Sequence, residues 1–368
     1  MSNLFDINFG GMKDESIAVR YSILKTLPSL LSVLENNKNC PKSMQVDLKV
    51  FFYIMNIDDL QVGKLKKVCD SYGVEVQIFD SAPYIDALEK AGDEAYNDSL
   101  VIDLYVIAPS ILQVNYNVLF LQSDVVMNHG CSLIDLAKYD FEGGKKSCAS
   151  TIDLQSSPII KGIMPLLRNQ HLFNDGVFLA SPKLYKEHDT FGQYIESVKE
   201  RGWKFYPYWN VLRSGYGLRN ELCVLPVKYQ IYPAQRMLKI SQWKKIFGLN
   251  DAEYYTDTEL ENALENPIFI HYINFIVKKP WNNDIPRKYK KQGYWPYQDI
   301  WIYYADLLGN REELVDSWDM TFIEKIKRFF FDYFRWLYIP LCTYYYKKEV
   351  VKRNNIINSL SEQDRRVK

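Results

Sequence analysis

Asn117-Val-Leu-Phe-Leu-Gln-Ser-Asp-Val-Val-Met127 is the stretch whose reading decides the fold. Four apolar residues, Val118 to Leu121, run up to a polar break at Gln122-Ser123-Asp124, and an apolar run resumes at Val125. A run of this kind, rich in Val and Phe and bounded by polar residues, predicts a strand buried on both faces. A polar tip on a buried central strand is where open α/β sheets usually place ligand chemistry. A Ser-Asp pair can also simply cap the turn that follows, so both readings of Asp124 stand at this point.

Working outward, the amino side predicts strands over Asn3–Phe9, Val46–Met55 and Val74–Phe79. Between and after them come helices over Tyr21–Leu34, with Pro28 as an early boundary or kink, and over Asp58–Tyr72, Tyr84–Tyr96 and Ser99–Leu112. The carboxyl side continues with strands at Ser147–Leu154, Gly176–Ala180 and Ile268–Ile276, and helices at Pro158–Leu167 and Pro182–Arg201. Alternation of this kind predicts an α/β protein with a doubly wound, mostly parallel sheet flanked by helices.

The chain has 368 residues, enough for one large α/β domain with an appendage. Charged residues at 24% and hydrophobic residues at 47% are ordinary for a soluble globular protein. With 28 Tyr and 8 Trp the chain is rich in rings, which suits carbohydrate stacking or an interfacial surface but is also a compositional habit of some sources. Six cysteines without a Cys-x-x-Cys pair point to a reducing compartment and away from a zinc site. The opening residues lack the layout of a signal peptide, and no apolar run approaches the roughly 18 residues that span a bilayer. The expectation is a cytoplasmic protein, attached to a membrane at most peripherally, on its inner face.

Three segments, in order, resemble glycosyltransferase family 8. Leu119-Phe-Leu-Gln-Ser-Asp124 is similar to the family's Leu-Asp-x-Asp strand end, and Phe173-Asn-Asp-Gly-Val-Phe-Leu179 to its Phe-Asn-Ala-Gly-Val segment. His271-Tyr-Ile-Asn-Phe-Ile-Val-Lys-Lys-Pro-Trp281 resembles the closing motif, in which a His precedes Gly-x-x-Lys-Pro-Trp. The resemblance implies a GT-A fold and transfer of a hexose from a nucleotide sugar, a UDP-sugar, to a glycan or lipid-linked acceptor. Retention of configuration, and a place in bacterial surface polysaccharide or lipopolysaccharide assembly, are implied with it. It also implies a manganese or magnesium ion on Asp124 and His271, with Gln122 as third ligand. From the residues alone, His271 reads as a core histidine near the end of an apolar strand rather than as a ligand.

Further roles follow from the same resemblance. Lys279, directly before Pro280-Trp281, and Lys278 would meet the diphosphate, and Asp6 and Asn8 the base. Asn174 and Asp175 would contact the donor sugar or lie under its reacting carbon, with Asp153 a further catalytic candidate; a loop cap entering a strand explains Asn174 and Asp175 as well. The Trp203–Pro233 stretch, rich in Tyr, Gly and Pro, would wall the acceptor side. Several positions depart from the pattern. Gln122 replaces the first aspartate with a neutral amide, Asp175 takes the place of a small residue, and Asn274 replaces the usual glycine. His271 and Lys279 are two residues further apart than the pattern expects. With Leu212 as the family's Leu, Trp209 stands where the family has the Gln that lies against the anomeric carbon. Gln122 and Trp209 together motivate an alternative, a binding or scaffold protein with impaired catalysis.

The division expected is a catalytic domain over 1–300 and a helical extension over 301–368. From Thr321 to Lys368 there are eleven Lys or Arg against five Asp or Glu, about +6. The whole chain balances at 45 against 45, so residues 1–320 carry about −6. Phe322, Ile326, Phe330, Phe334 and Leu337 follow helical spacing, and together with the basic residues they predict an amphipathic helix that meets an anionic membrane surface. No nucleic acid is expected, because the body is acidic and carries no recognition motif.

Overall fold

A computed structural model describes residues 23–54, 59–80, 100–154, 173–200, 217–247, 255–273, 276–282, 284–309, 311–315, 320, 322–348 and 351. The strand expected over Asn3–Phe9, the helices over Tyr84–Tyr96 and Pro158–Leu167, and Asp6, Asn8, Trp209, Leu212 and Asn274 lie outside these residues.

The chain enters as α1 (Ile23–Asn39), β1 (Lys49–Ile54), α2 (Asp59–Ser71), β2 (Glu75–Asp80) and α3 (Leu100–Ile111). The β1 and β2 strands pair in parallel, Lys49 opposite Glu75, as a strand–helix–strand unit requires. Pro28 neither starts nor ends α1: the helix runs through it, with Leu27, Leu31 and Leu34 buried on one side. Then come β3 (Val118–Leu121), β4 (Val125–Met127), β5 (Cys148–Ile152) and β6 (Phe173–Ala180). After β6 the chain forms α4 (Pro182–Glu187), α5 (Thr190–Glu200), β7 (Leu222–Val224), α6 (Ile240–Phe247), α7 (Asp257–Glu265) and β8 (Phe269–His271). Ser181 caps α4 and Pro182 takes its first turn, as the sequence suggests; Thr256 and Glu259 form a capping box on α7.

The stretch 117–127 is not one strand. It ends in one sheet and restarts in another. The β3 strand belongs to a four-stranded sheet of order β3-β6-β5-β7, in which β6 runs antiparallel to both neighbours and β7 parallel to β5. Three residues later β4 pairs antiparallel with β8, Val125 opposite His271. The strand expected over Ile268–Ile276 stops at His271, where the Tyr272 N–H turns to the Asp124 carbonyl at 2.9 Å. The alternation of β4 serves two cores. Val125 and Met127 pack with Ala149, Val177, Leu179 and Phe269 between the sheets, whereas Val126 faces the opposite side.

That opposite side holds much of the aromatic content. Tyr232, Trp243, Tyr272, Trp281, Trp295 and Trp301 are buried there, together with Phe331, Tyr338 and Tyr346 from the carboxyl-terminal region. Toward the carboxyl end come α8 (Gln298–Leu307) and, after a short turn of helix at Arg311–Leu314, α9 (Phe322–Tyr333), and the chain is helical again over 335–348. Arg328 pairs with Asp284, and Arg335 donates to the Met237 carbonyl, so charge as well as ring packing fastens this region to the body. No described helix is long and apolar enough to cross a membrane. All six cysteines are free thiols.

Candidate active site

The two sheets meet at the polar break. The Gln122 N–H donates to the Gly176 carbonyl and the Val125 N–H to the Gln122 carbonyl, both at 3.1 Å, so the 122–125 turn is fixed at each end. Asp124, 4% exposed, is thereby aimed at the end of β8. Its Oδ1 lies 3.4 Å from His271 Nε2, and its Oδ2 pairs with the Lys279 ammonium. Burial alone would raise the Asp124 pKa, but the Lys279 ammonium and the hydrogen bonds from His271 and Lys279 hold it well below the usual carboxylate range.

Beneath His271 lies the Asn174–Gly176 segment of β6. Ser150 pairs with Phe178, but Ile152 pairs with Phe173, so β6 bulges between the two contacts. Bulges re-aim side chains, and here the bulge delivers Asn174 to the site. Gly176 is required by the close approach of the imidazole. A Cβ at this position would lie 2.7 Å from His271 Cε1 and 2.8 Å from Gln230 Nε2.

The network also fixes which histidine nitrogen carries the proton. The Gly176 N–H, which can only donate, donates to Asn174 Oδ1 at 2.9 Å and so identifies that atom as the oxygen. Gln230 also bonds to Asn174 Oδ1, and must do so through its NH2 group. The same NH2 lies 2.8 Å from His271 Nδ1, which therefore accepts, while Gln230 Oε1 accepts from the Thr151 hydroxyl at 2.8 Å. The remaining nitrogen, Nε2, is left as an N–H directed at Asp124. Asn174 Nδ2 donates to the Tyr232 hydroxyl, and the Tyr232 ring lies 5.7 Å from the imidazole.

The structure thus brings Asp124, His271, Lys279 and Asn174 together. Gln122 stands beside them in the turn, through its backbone. Lys278 is turned elsewhere, onto Glu324 of α9. Asp153 is buried just beyond β5, and Asp175 is a residue of β6. Gln230 and Tyr232 are central yet carry no motif in the sequence. They reach the site because Ile231 bridges to Ile270 of β8, which places Gln230 beside His271. Thr151, whose hydroxyl holds Gln230, carries no motif either.

The fit of a divalent ion can be tested on these contacts. Both Asp124 oxygens face hydrogen-bond donors, one of them an ammonium. The imidazole presents an N–H where a ligand needs a lone pair, and Gln122 supplies no charge. Among the described residues no three His, Cys, Asp or Glu side chains gather as a metal-binding group. The arrangement does not fit a divalent metal; it is built around a lysine.

The family model described as "Glycosyl transferase family 8" matches residues 6–285. Among solved structures, the chain is similar to the WbbM bifunctional glycosyltransferase, with TM-score 0.57 and 16% identity over 80% of this chain. It spans about half of that protein, 49%. Similarity to the galactosyltransferase LgtC, solved with donor and acceptor sugar analogs, has TM-score 0.53 and 17% identity, covering 78% of this chain and 92% of that one. At these identities the likeness shows a shared GT-A fold. No curated protein matches the chain by sequence.

Proposed function

From the premise that this chain belongs to glycosyltransferase family 8, we propose that it transfers a hexose from a UDP-sugar to a glycan or lipid-linked acceptor, with retention of configuration. One observation carries this reading: the 271–281 segment meets Asp124 of the 119–124 segment through His271 and Lys279, and the 173–179 segment joins them by bonding Gln122 and lying under His271. In the reaction, the bond from the anomeric carbon to the diphosphate oxygen breaks and its electron pair leaves with the diphosphate. The acceptor hydroxyl forms the new bond on the same face and gives its proton to the departing phosphate oxygen. Lys279, held by Asp124, neutralises the leaving group, and stabilising that charge is where such a site gains most of its rate. The His271 N–H faces the other oxygen of Asp124 and helps to hold that carboxylate in place. Asn174, engaged at both ends of its amide, is a positioning residue for Gln230 and His271. Asp175 and Asp153 are assigned to the donor sugar, and Asp6 and Asn8 to the base.

Enzymes of this family commonly use a divalent metal. Manganese on Asp124, His271 and Gln122 would require Lys279 to leave and the imidazole proton to move, so no step is drawn through it. The catalytic domain is assigned to 1–300. In the 301–368 region α9 presents Phe322 (78% exposed), Ile326, Phe329 and Tyr333 to solvent, continued by Trp336 (71% exposed) and accompanied by exposed Lys325, Lys347 and Lys348. This surface supports peripheral attachment to an anionic membrane, on its cytoplasmic face, near a lipid-linked acceptor in surface polysaccharide assembly. Incubation with a panel of UDP-sugars, followed by detection of released UDP and transferred hexose, tests the activity. Turnover of at least one donor is expected. Intact donor binding with no turnover of any of them would support the scaffold reading instead.

A further inference from the structure

We propose that this chain carries its own cation: Lys279 on Asp124 stands in for a divalent metal, and donor binding and transfer proceed without one. The inference rests on the glycosyltransferase reading above and adds what neutralises the diphosphate. The motif's composition motivates it. The family pattern pairs two carboxylates with a divalent ion and carries a lysine besides; here Gln122 leaves a single carboxylate to hold an ion, while the lysine is kept as Lys279. The buried contacts agree. The ammonium sits on Asp124 Oδ2, and the Nε2–H of His271, fixed through Gln230, Asn174 and the Gly176 N–H, faces Oδ1. An ammonium has three donors, so one can hold Asp124 while others turn to phosphate oxygens.

The test uses the full chain after exhaustive treatment with EDTA. UDP is titrated calorimetrically with EDTA and with manganese chloride, and UDP release from UDP-glucose and UDP-galactose is followed in both buffers. Affinity and turnover in EDTA should lie within about twofold of those in manganese, and manganese alone should give no binding isotherm. Lys279→Ala should weaken UDP in EDTA by roughly ten- to a hundredfold, the loss expected for a hydrogen bond to a charged group, and Lys279→Arg should recover most of it. If Lys279→Ala does not fold, Lys279→Met keeps the stem, removes the charge and serves in its place. Gln122→Asp combined with Lys279→Ala should acquire manganese binding. A wild-type protein that loses UDP binding and turnover in EDTA and regains both with manganese overturns the built-in cation while leaving the glycosyltransferase reading intact. A protein that binds neither UDP nor ADP, GDP, CDP or dTDP in either buffer overturns the donor site itself, and the inference with it.

Discussion

Substituting Gly176→Ala tests the site through a single methyl group. The new Cβ would lie 2.7 Å from His271 Cε1 and 2.8 Å from Gln230 Nε2, where ordinary contact begins near 3.4 Å. The imidazole or the strand must therefore move by more than half an ångström. Neither partner is the loose end of an exposed side chain: His271 is 4% exposed and Gln230 is 3% exposed. Overpacking of this kind costs about 1–3 kcal/mol. Displacing the 2.8 Å bond between Gln230 and His271 leaves buried polar groups unsatisfied, adding about 1–3 kcal/mol. The sum, about 2–6 kcal/mol, divided by an unfolding entropy of roughly 2.1 cal/mol/K per residue, predicts a fall in Tm of roughly 3–8 °C. Because His271 moves with respect to Asp124, donor turnover should fall further than stability alone explains. Differential scanning calorimetry and the UDP-release assay on the same preparation check both. A variant with Tm within 1 °C of wild type and unchanged turnover would refute the assignment of Gly176 as the floor under the imidazole.

Arg328→Met should destabilise the protein by about 3–5 kcal/mol, because Asp284 then stays buried without its partner. Burial already raises the Asp284 pKa against the pull of Arg328, and the variant should raise it further. A raised acid favours the folded state only when protonated, so the loss should be largest at high pH and should shrink as pH falls toward the raised pKa; a pH-independent loss in thermal melts would contradict this. Phe322→Ser, Phe329→Ser and Trp336→Ser together should leave Tm within about 1 °C, since all three are exposed, yet weaken sedimentation with anionic vesicles on the order of tenfold. Equal sedimentation of variant and wild type at low salt would remove the membrane assignment.

The sequence announced much of the scaffold, because period and punctuation act locally. The Ser181-Pro182 start of α4 and the β1–α2–β2 alternation are written in single segments. The split of 117–127 between two sheets was not legible, since an apolar run looks the same whichever partner it pairs with. Asp124, His271 and Lys279 stood out through the motif they sit in. Gln230 did not: a lone glutamine has no pattern, and its importance comes from a bridge between Ile231 and Ile270 that only tertiary structure supplies. The pairing of Lys279 with Asp124 was equally hidden, being a contact between segments 155 residues apart. The helical spacing expected from Phe322 to Leu337 holds within α9, but the helix ends at Tyr333, with a break at Phe334. The direction of the apolar stripe was not readable, and Phe331 rather than Phe322 turns inward.

The three-residue link between β3 and β4 has a mechanical consequence. Three residues reach about 10 Å at full extension, and here they are also pinned by hydrogen bonds at both ends. The two sheets therefore cannot part at this point to admit a substrate, any more than two boards can at a nailed corner. In the proposed reaction, a nucleotide sugar would then enter elsewhere than between β3 and β4.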